Sequence, residues 1–503
     1  MNPRSVTAYR LNRRRLLSAG LLVAGGALVA AWSSPSAPAP TAAPAAPAAA
    51  PAPTKAAAAP TTAPAAAATT AAPAPTATAQ PAAQAQPATT GPVTVHFWAH
   101  NHVPRVKLDK EFFSQWAGLE PSIKVDYTVV PSQYEIKLTA AMASGTGPDM
   151  YNLTTSYNYT FMAEGLAKTV DPTPWGLADG SAFDNLYVPG TLEGSKYNGK
   201  LYGLPSEVSN YAPLVNRQDL ATEQINLVAT SPATKWQNFP KTWEDVIPVA
   251  QKLTKESGNL LTHRGFDFTY GVQQGDWTSA QLTFLGMAAQ FGGVPLSDDH
   301  KQTMINTEPF VQALQFQYDW IFTHQLGSPN LLGSNQALAQ DQNSMSMIGF
   351  WAFSSIQQQY AKVFPDIAAA PFPQFAEAKQ HGGAVLYGYS WMVSSKAAAD
   401  VATAAWKTIH FLWEHGADYI AGAGLLQPTK ALLENPVFQG LQFIDVFLND
   451  AKGTPFTIRD VHGIEINDAL LRALKRTTFQ KVQAQQSLDQ AKTEIDAILA
   501  KGS

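Results

Sequence analysis

An α/β fold is what this sequence predicts, and three observations carry the prediction. Strand-like and helix-like patterns alternate from Val93 onward, which is the order that builds a sheet covered by helices. The chain has 503 residues, 45% of them hydrophobic and 10% aromatic, enough for more than one core. No internal repeat of roughly 20 to 50 residues is visible, so solenoids and propellers are not the architecture.

The chain opens with an address. An arginine cluster, Arg13-Arg14-Arg15, precedes an apolar run from Leu16 to Ala31 that is rich in Gly and Ala and short for a bilayer crossing. Residues 1–31 therefore read as a signal peptide. Asn12-Arg13-Arg14-Arg15-Leu16-Leu17 resembles the twin-arginine export signal, and a general secretory signal is the alternative. Val29-Ala30-Ala31 is similar to the residues before the lipidated cysteine of bacterial lipoproteins, but position 32 is Trp32. Acylation is excluded there, leaving cleavage after Ala31 or an uncleaved anchor. Residues 32–92 are almost wholly Ala, Pro, Thr, Gln and Ser, a composition that predicts a disordered linker. At roughly 3 Å per residue it spans on the order of 150 Å, a tether for an exported protein at the cell surface or in the periplasm.

Charge narrows the partners. Residues 1–92 hold six bases and no acid, which leaves 28 bases against 38 acids in the remainder, although the whole chain is only −4. An acidic body argues against nucleic acid as a partner. There are no cysteines, so disulfides, thiolate nucleophiles and cysteine-ligated zinc are excluded.

The elements follow in order. Val93-Thr-Val-His-Phe-Trp alternates and reads as a strand, a helix through Lys110 to Trp116 follows, and Ile123 to Val130 is a second strand. The next helix has Ser132 as expected N-cap with Glu135 completing a capping box, Tyr134, Leu138 and Ala141 on its buried face, and Gly145 as its stop. Thr242 caps a helix with acids in its first turn. Helical patterns run from Thr278 to Phe291 and from Pro309 to Phe322, "SWMVSSK" returns to strand, and Ala397 to Trp413 is helical. Ser487 with Gln490 is the expected cap of a last helix striped with Leu488, Ala491, Ile495, Ile498 and Leu499.

Five stretches occur in a telling order: "YEIKLTAAMASGTGPDM", "NGKLYGLPSEVSNYAPLVNRQDL", "FPKTWEDVIPVAQKL", "MSMIGFWAFSS" and "GYSWMVSSKA". Together they resemble the extracellular solute-binding proteins of family 1, the sugar-type receptors of ABC importers, across essentially all of 93–503. The resemblance implies a two-lobe periplasmic-binding-protein fold that closes by a hinge on a ligand between the lobes. It places one lobe at 93–206 plus 372–428 and the other at 207–371 plus 429–503. It implies a monomer that needs no cofactor, captures a small-molecule carbohydrate and delivers it to transmembrane permease subunits. Polyol, glycerol phosphate or metal receptors are the alternatives.

Sugars offer C–H ring faces and hydroxyl rims, so a receptor needs aromatic platforms with fixed acids and amides. By resemblance Trp98, His100 and Asn101 belong to the first cleft loop, and Asp149, after Gly145-Thr-Gly-Pro148, accepts hydroxyls; the plainer readings are a core tryptophan and a turn-capping aspartate. Glu207 is implied as a ligand acid at the first crossing, with Tyr211 stacking or packing nearby. Trp277 and Trp351 match the second lobe's platforms, and of Tyr387 and Tyr389 one is expected to face the cleft. Asn152 and Tyr157 are further candidates. Arg459, near the third crossing, pairs either an anionic ligand or a neighbouring acid.

Two other chemistries are weighed on the residues. Asp149, Glu207 and Asp276 could supply the two carboxylates of a glycoside hydrolase, but carboxylates that merely accept hydroxyls look the same in sequence. No Gly-rich phosphate loop, G-x-S-x-G elbow or H-E-x-x-H helix occurs. His96, His100 and His102 suit zinc or copper by type, yet on one strand they spread over about 13 Å, so only His100 with His102 could converge if the chain turns. The expectation is a binding protein, not an enzyme, with no resident metal.

Overall fold

The computed structural model describes residues 91–229, 234–258, 260–268, 272, 277–327 and 334–502, with backbone alone for 229, 277–280, 334 and 335. The expected signal peptide and nearly all of the linker fall outside it. In chain order the elements are β1 (Val93–His100), α1 (Val103–Leu119), β2 (Ile123–Val130), α2 (Tyr134–Ser144), β3 (Met150–Thr154), α3 (Thr155–Ala163), β4 (Gly203–Ser209) and β5 (Tyr211–Asn216). There follow α4 (Trp243–Leu253), β6 (Lys255–Ser257), β7 (Leu260–Asp267), α5 (Trp277–Gln290), α6 (Glu308–Phe322), β8 (Asn343–Gly349), α7 (Ala352–Gln359) and β9 (Ile367–Ala369). The chain ends through β10 (Tyr387–Val393), α8 (Ala399–Trp413), α9 (Gly416–Ala423), α10 (Gly463–Gln480) and α11 (Ala484–Leu499), with short helices between the last groups.

Two five-stranded sheets organise two lobes. The first runs β2-β1-β3-β10-β4, with β1 parallel to β2 and β3, and β10 antiparallel to β3 and β4. The second runs β6-β7-β8-β5-β9, with β7 and β8 parallel and β5 antiparallel to β8 and β9. Asn210 alone separates β4 in the first sheet from β5 in the second, and the return passes between β9 and β10.

Alternation in β1 explains the first lobe. Val95, Phe97 and Ala99 are buried on one face in a core with Trp391, Trp406 and Phe411, and Trp98 turns to the other face. There it packs against a smaller cluster built from Tyr134, Leu138, Met142, Tyr151 and Phe161. The second lobe is centred on Trp243, fully buried and stacked on Phe266 at 5.8 Å, while the Leu488, Ala491, Ile495 and Leu499 stripe of α11 closes the same core. Each such side chain contributes about 1.5–3 kcal/mol by leaving water.

Several boundaries differ from the sequence expectation. α2 starts at Tyr134, its N-cap is Gln133 in a left-handed conformation (φ 52), and no side chain caps it. The capping box therefore does not form, because Gln133 turns the chain one residue too late for Ser132 to reach the helix. Met142, not Ala141, completes the buried face, and Gly145 ends the helix at φ 76 with its N–H on Ala141 and Met142. α11 begins three residues ahead of Ser487, which is buried within the helix and accepts a hydrogen bond from the Thr477 hydroxyl at 2.8 Å. Thr242 does cap α4, its hydroxyl accepting from the Asp245 N–H at 3.0 Å. No described helix is long and apolar enough to cross a membrane.

Candidate functional site

A cavity of about 910 Å³ lies where the two sheets meet. The first lobe supplies His100 and Asn101 from the end of β1, His102, the exposed face of α2, Tyr157 from α3, Glu207 from β4, and Tyr387 and Tyr389 from β10. The second supplies Tyr211 from β5, Trp351 just after β8, and Ile464 and Asp468 from α10. Strand ends at a crossing put side chains into open space while the backbone stays paired, the usual place for sites on α/β sheets.

The aromatic groups hold one another across the crossing. Trp351 Nε1 donates to the Tyr387 hydroxyl at 2.9 Å, Tyr211 meets Tyr387 edge-on at 5.8 Å, and the His102 ring meets Trp351 edge-on at 5.9 Å. Trp351 has room because two glycines lie against it. A Cβ on Gly349 would come within 2.4 Å of Trp351 Nε1, and one on Gly424 within 2.8 Å of Trp351 Cα. On the other wall His100 stacks on Tyr389 at 4.1 Å, and the Tyr389 hydroxyl donates to Glu135 at 3.3 Å.

Beneath the cavity runs a buried polar network. Asp109 accepts from the Tyr127 and Tyr419 hydroxyls at 2.5 and 2.6 Å and pairs with Arg105 Nε at 3.5 Å. Arg105 also reaches Asn152 Oδ1 at 3.2 Å and the His100 carbonyl, and Asn152 Oδ1 lies 2.8 Å from His100 Nδ1. This network fixes the His100 ring from below. Glu207 contrasts with it: only 4% exposed, it accepts no hydrogen bond and joins no ion pair among the described residues. Burial pushes its carboxyl up to about 7, with Arg105 pulling against the rise. Burial also drives His102 down to about 3 and His100 well below its ordinary value, with the Arg105 charge acting in the same direction, so both rings are neutral near pH 7.

The structure brings His100, Asn101, Glu207, Tyr211, Trp351, Tyr387 and Tyr389 to one cavity, with Tyr157. Tyr387 and Tyr389 both line it, against the expectation of one, because residues two apart on a strand share a face. Trp98 does not line it; its ring packs on the α2 side and its carbonyl accepts from Tyr134 at 3.0 Å. Asp149 does not line it either. Its Oδ2 accepts from the His96 N–H at 2.9 Å and lies 2.8 Å from His96 Nδ1, which ties β3 to β1. Asp149 and Glu207 therefore do not form a carboxylate pair at the cavity, and Asp276 lies outside the described residues. Trp277 begins α5, and its side chain lies outside them too. Arg459 stacks over Phe456 at 4.2 Å, away from the cavity lining. The histidines do not converge: His96 is exposed beside Asp149, His100 faces Tyr389 and Asn152, and His102 accepts from the Arg105 N–H at 3.4 Å. Asp219, His263 and Asp341 do come together in the second lobe, but both His263 nitrogens are already engaged, by the Asp341 carbonyl and the Ser344 hydroxyl.

Sequence reasoning missed the contribution of α2 and α10. Ile136, Ala140 and Ala143 line the cavity at helical spacing opposite the buried Tyr134 and Leu138, and Ile136 is 63% exposed. A second apolar stripe on one helix was the available signal. Ile464 and Asp468 had none, since only the fold brings α10 there.

Two α/β lobes sharing one aromatic and acidic cavity at their crossing define a bilobal binding protein. The chain belongs to the bacterial extracellular solute-binding protein family, whose model matches residues 101–418. Solved structures of similar fold include an ABC transporter solute-binding protein of Thermotoga lettingae bound with alpha-D-tagatose, with TM-score 0.69 and 17% identity over 81% of this chain and 99% of that one. The maltose/maltodextrin-binding domain MalE of Bdellovibrio bacteriovorus, bound to maltotriose, gives TM-score 0.69 and 17% identity over 81% of this chain and 100% of that one. The GacH receptor of Streptomyces glaucescens, solved unliganded and with acarbose, gives TM-score 0.67 and 15% identity over 82% and 99%.

Proposed function

We propose that this protein is the substrate-binding receptor of an ABC importer for a carbohydrate. The observation that carries the reading is the cavity itself, which Tyr211, Trp351, Tyr387 and Tyr389 line together with a buried Glu207 that accepts no hydrogen bond among the described residues. Rings stack on sugar C–H faces and a carboxylate accepts hydroxyls, which is the chemistry a saccharide needs. Ligands in the similar structures, tagatose, maltotriose and acarbose, support the same class. A volume of about 910 Å³ favours more than one sugar ring. The ligand set is His100, Asn101, Glu207, Tyr211, Trp351, Tyr387 and Tyr389, touched from both lobes.

A ligand bridging the lobes stabilises a closed form by its extra affinity for that form, and the closed form is what a permease pair recognises. The protein acts as an exported monomer at the cell surface or in the periplasm, carried on its N-terminal segment, and does no covalent chemistry. Native mass spectrometry of the purified chain, followed by titration calorimetry with a saccharide panel, tests the reading. Saturable binding of a saccharide, lost in Trp351→Ala, is the expected result; no binding by any saccharide overturns it.

A further inference from the structure

Glu207 is a wall shared by two cavities. It lines the large one, and it also lines a second of about 10 Å³ together with Arg105, Asp109, Asn152 and Ser206. That volume suits one water, and the lining supplies the two to four polar partners that a buried water takes. Two groups on this small space are short of hydrogen bonds. Arg105 Nε is buried and, although it lies 3.5 Å from an Asp109 oxygen, makes no hydrogen bond among the described residues, while the other guanidinium nitrogens serve Asn152 and the His100 carbonyl. Glu207 accepts none either, and joins no ion pair among the described residues. A buried donor without an acceptor and a buried acceptor without a donor, on one water-sized space, are what a bridging water satisfies.

We propose that Arg105 is the positioning residue of Glu207, acting through one water that accepts from Arg105 Nε and donates to the carboxylate. The water's second hydrogen is left for Ser206 Oγ or Asp109, which line the same space. One Glu207 oxygen is then held from the scaffold, and the other is left to accept a ligand hydroxyl. The Arg105 charge is thereby divided between two acids, Asp109 by direct pairing and Glu207 through the water. Burial raises the Glu207 carboxyl and the Arg105 charge pulls it back, which is the sign this arrangement requires. The consequence for a bound sugar rests on the carbohydrate reading; the link between Arg105 and Glu207 does not.

A high-resolution crystal structure of the chain should show one water within about 3 Å of both Arg105 Nε and a Glu207 oxygen. No water there, or one that meets only a single partner, overturns the link. Infrared titration of the full chain, with the Glu207→Gln spectrum subtracted to identify the carboxyl band, then reads the charge on Glu207. Arg105→Gln should move the Glu207 midpoint up by at least about one pH unit, and Asp109→Asn, which leaves the guanidinium to Glu207 alone, should move it down. A merely structural disturbance has no reason to act in opposite directions. Of the other ionisable groups facing Glu207, Glu135 and Asp468 are unchanged in both variants, and His100 and His102 are held neutral chiefly by burial. Shifts of the same sign, or no shift in Asp109→Asn, overturn the proposal; if Arg105→Gln shows no cooperative thermal melt, Asp109→Asn and the water decide it. Calorimetry at pH 7 with the saccharide that binds the parent chain should show at least about a tenfold loss in Arg105→Gln, and retained affinity overturns the positioning role. Failure of every saccharide to bind, with the water and the opposite shifts in place, overturns the carbohydrate reading and leaves the link standing.

Discussion

Two buried carboxylates a short way apart in the first lobe are treated in opposite ways. Asp109 has two phenol donors and a guanidinium, whereas Glu207 accepts no hydrogen bond among the described residues and feels only the charge of Arg105 from beneath. A buried acid that is fully paired belongs to the scaffold, and one left unpaired belongs to a ligand. The same contrast separates the two halves of the site. The first lobe anchors its polar groups on the Arg105 network, while the second presents Trp351 over glycines and an apolar core.

The largest expected effect breaks the paired side of the contrast. Asp109→Ala strands Arg105 and two tyrosines, and urea unfolding should show a loss of about 3–5 kcal/mol. Glu207→Gln removes a charge that burial already disfavours, so its stability should equal or exceed that of the parent. If both substitutions cost the same, the distinction between scaffold and ligand carboxylate fails.

Trp351→Ala comes next. The ring touches both large cores and bridges to Tyr387, so removing it should weaken saccharide binding at least about 100-fold by calorimetry. Stability should fall by only about 1–3 kcal/mol, because the ring is half-buried. Unchanged affinity would move the aromatic platform elsewhere.

A third prediction uses pH. Glu207 and Asp450 are both raised to about 7 by burial, well above the ordinary carboxylate range. Between about pH 4.5 and 7 the folded chain therefore binds protons that the unfolded chain releases, and their stabilising contribution declines as pH rises through 7. For Glu207 the full effect is at most about 3 kcal/mol. Denaturation at pH 5 and pH 8 should show the drop, and Glu207→Gln should remove its share. A contribution that grows with pH would contradict the unpaired state of Glu207.

Much of this was legible in the sequence, and the parts that were not share a cause. β2 was read at its observed bounds because alternation is local, and Thr242 and Gly145 were read correctly because capping is local. Seven of the cleft residues were legible because a run of motifs carried their order. Trp98 and Asp149 were not, since which face of β1 meets the cavity and which atom a turn carboxylate meets are decided by neighbours far along the chain. The role of Asn152 was not legible either, because nothing local shows it beneath His100, bonded to Arg105.

The smallest expected effect concerns Gly349. Its φ is ordinary, so the glycine serves space and not backbone freedom: an added methyl would meet Trp351 Nε1 at 2.4 Å, Trp351 Cδ1 at 2.7 Å and Ser209 Oγ at 3.1 Å. The indole must give way, because at 2.4 Å no side-chain carbon can sit against it, while Gly424 already lies close against the Trp351 backbone. Gly349→Ala should therefore tilt the platform without emptying it. The expected result is about a tenfold loss of saccharide affinity, with stability changed by less than about 1 kcal/mol and a shifted tryptophan emission. Affinity within twofold of the parent would show that the second lobe's platform tolerates a displacement that the first lobe's paired network does not.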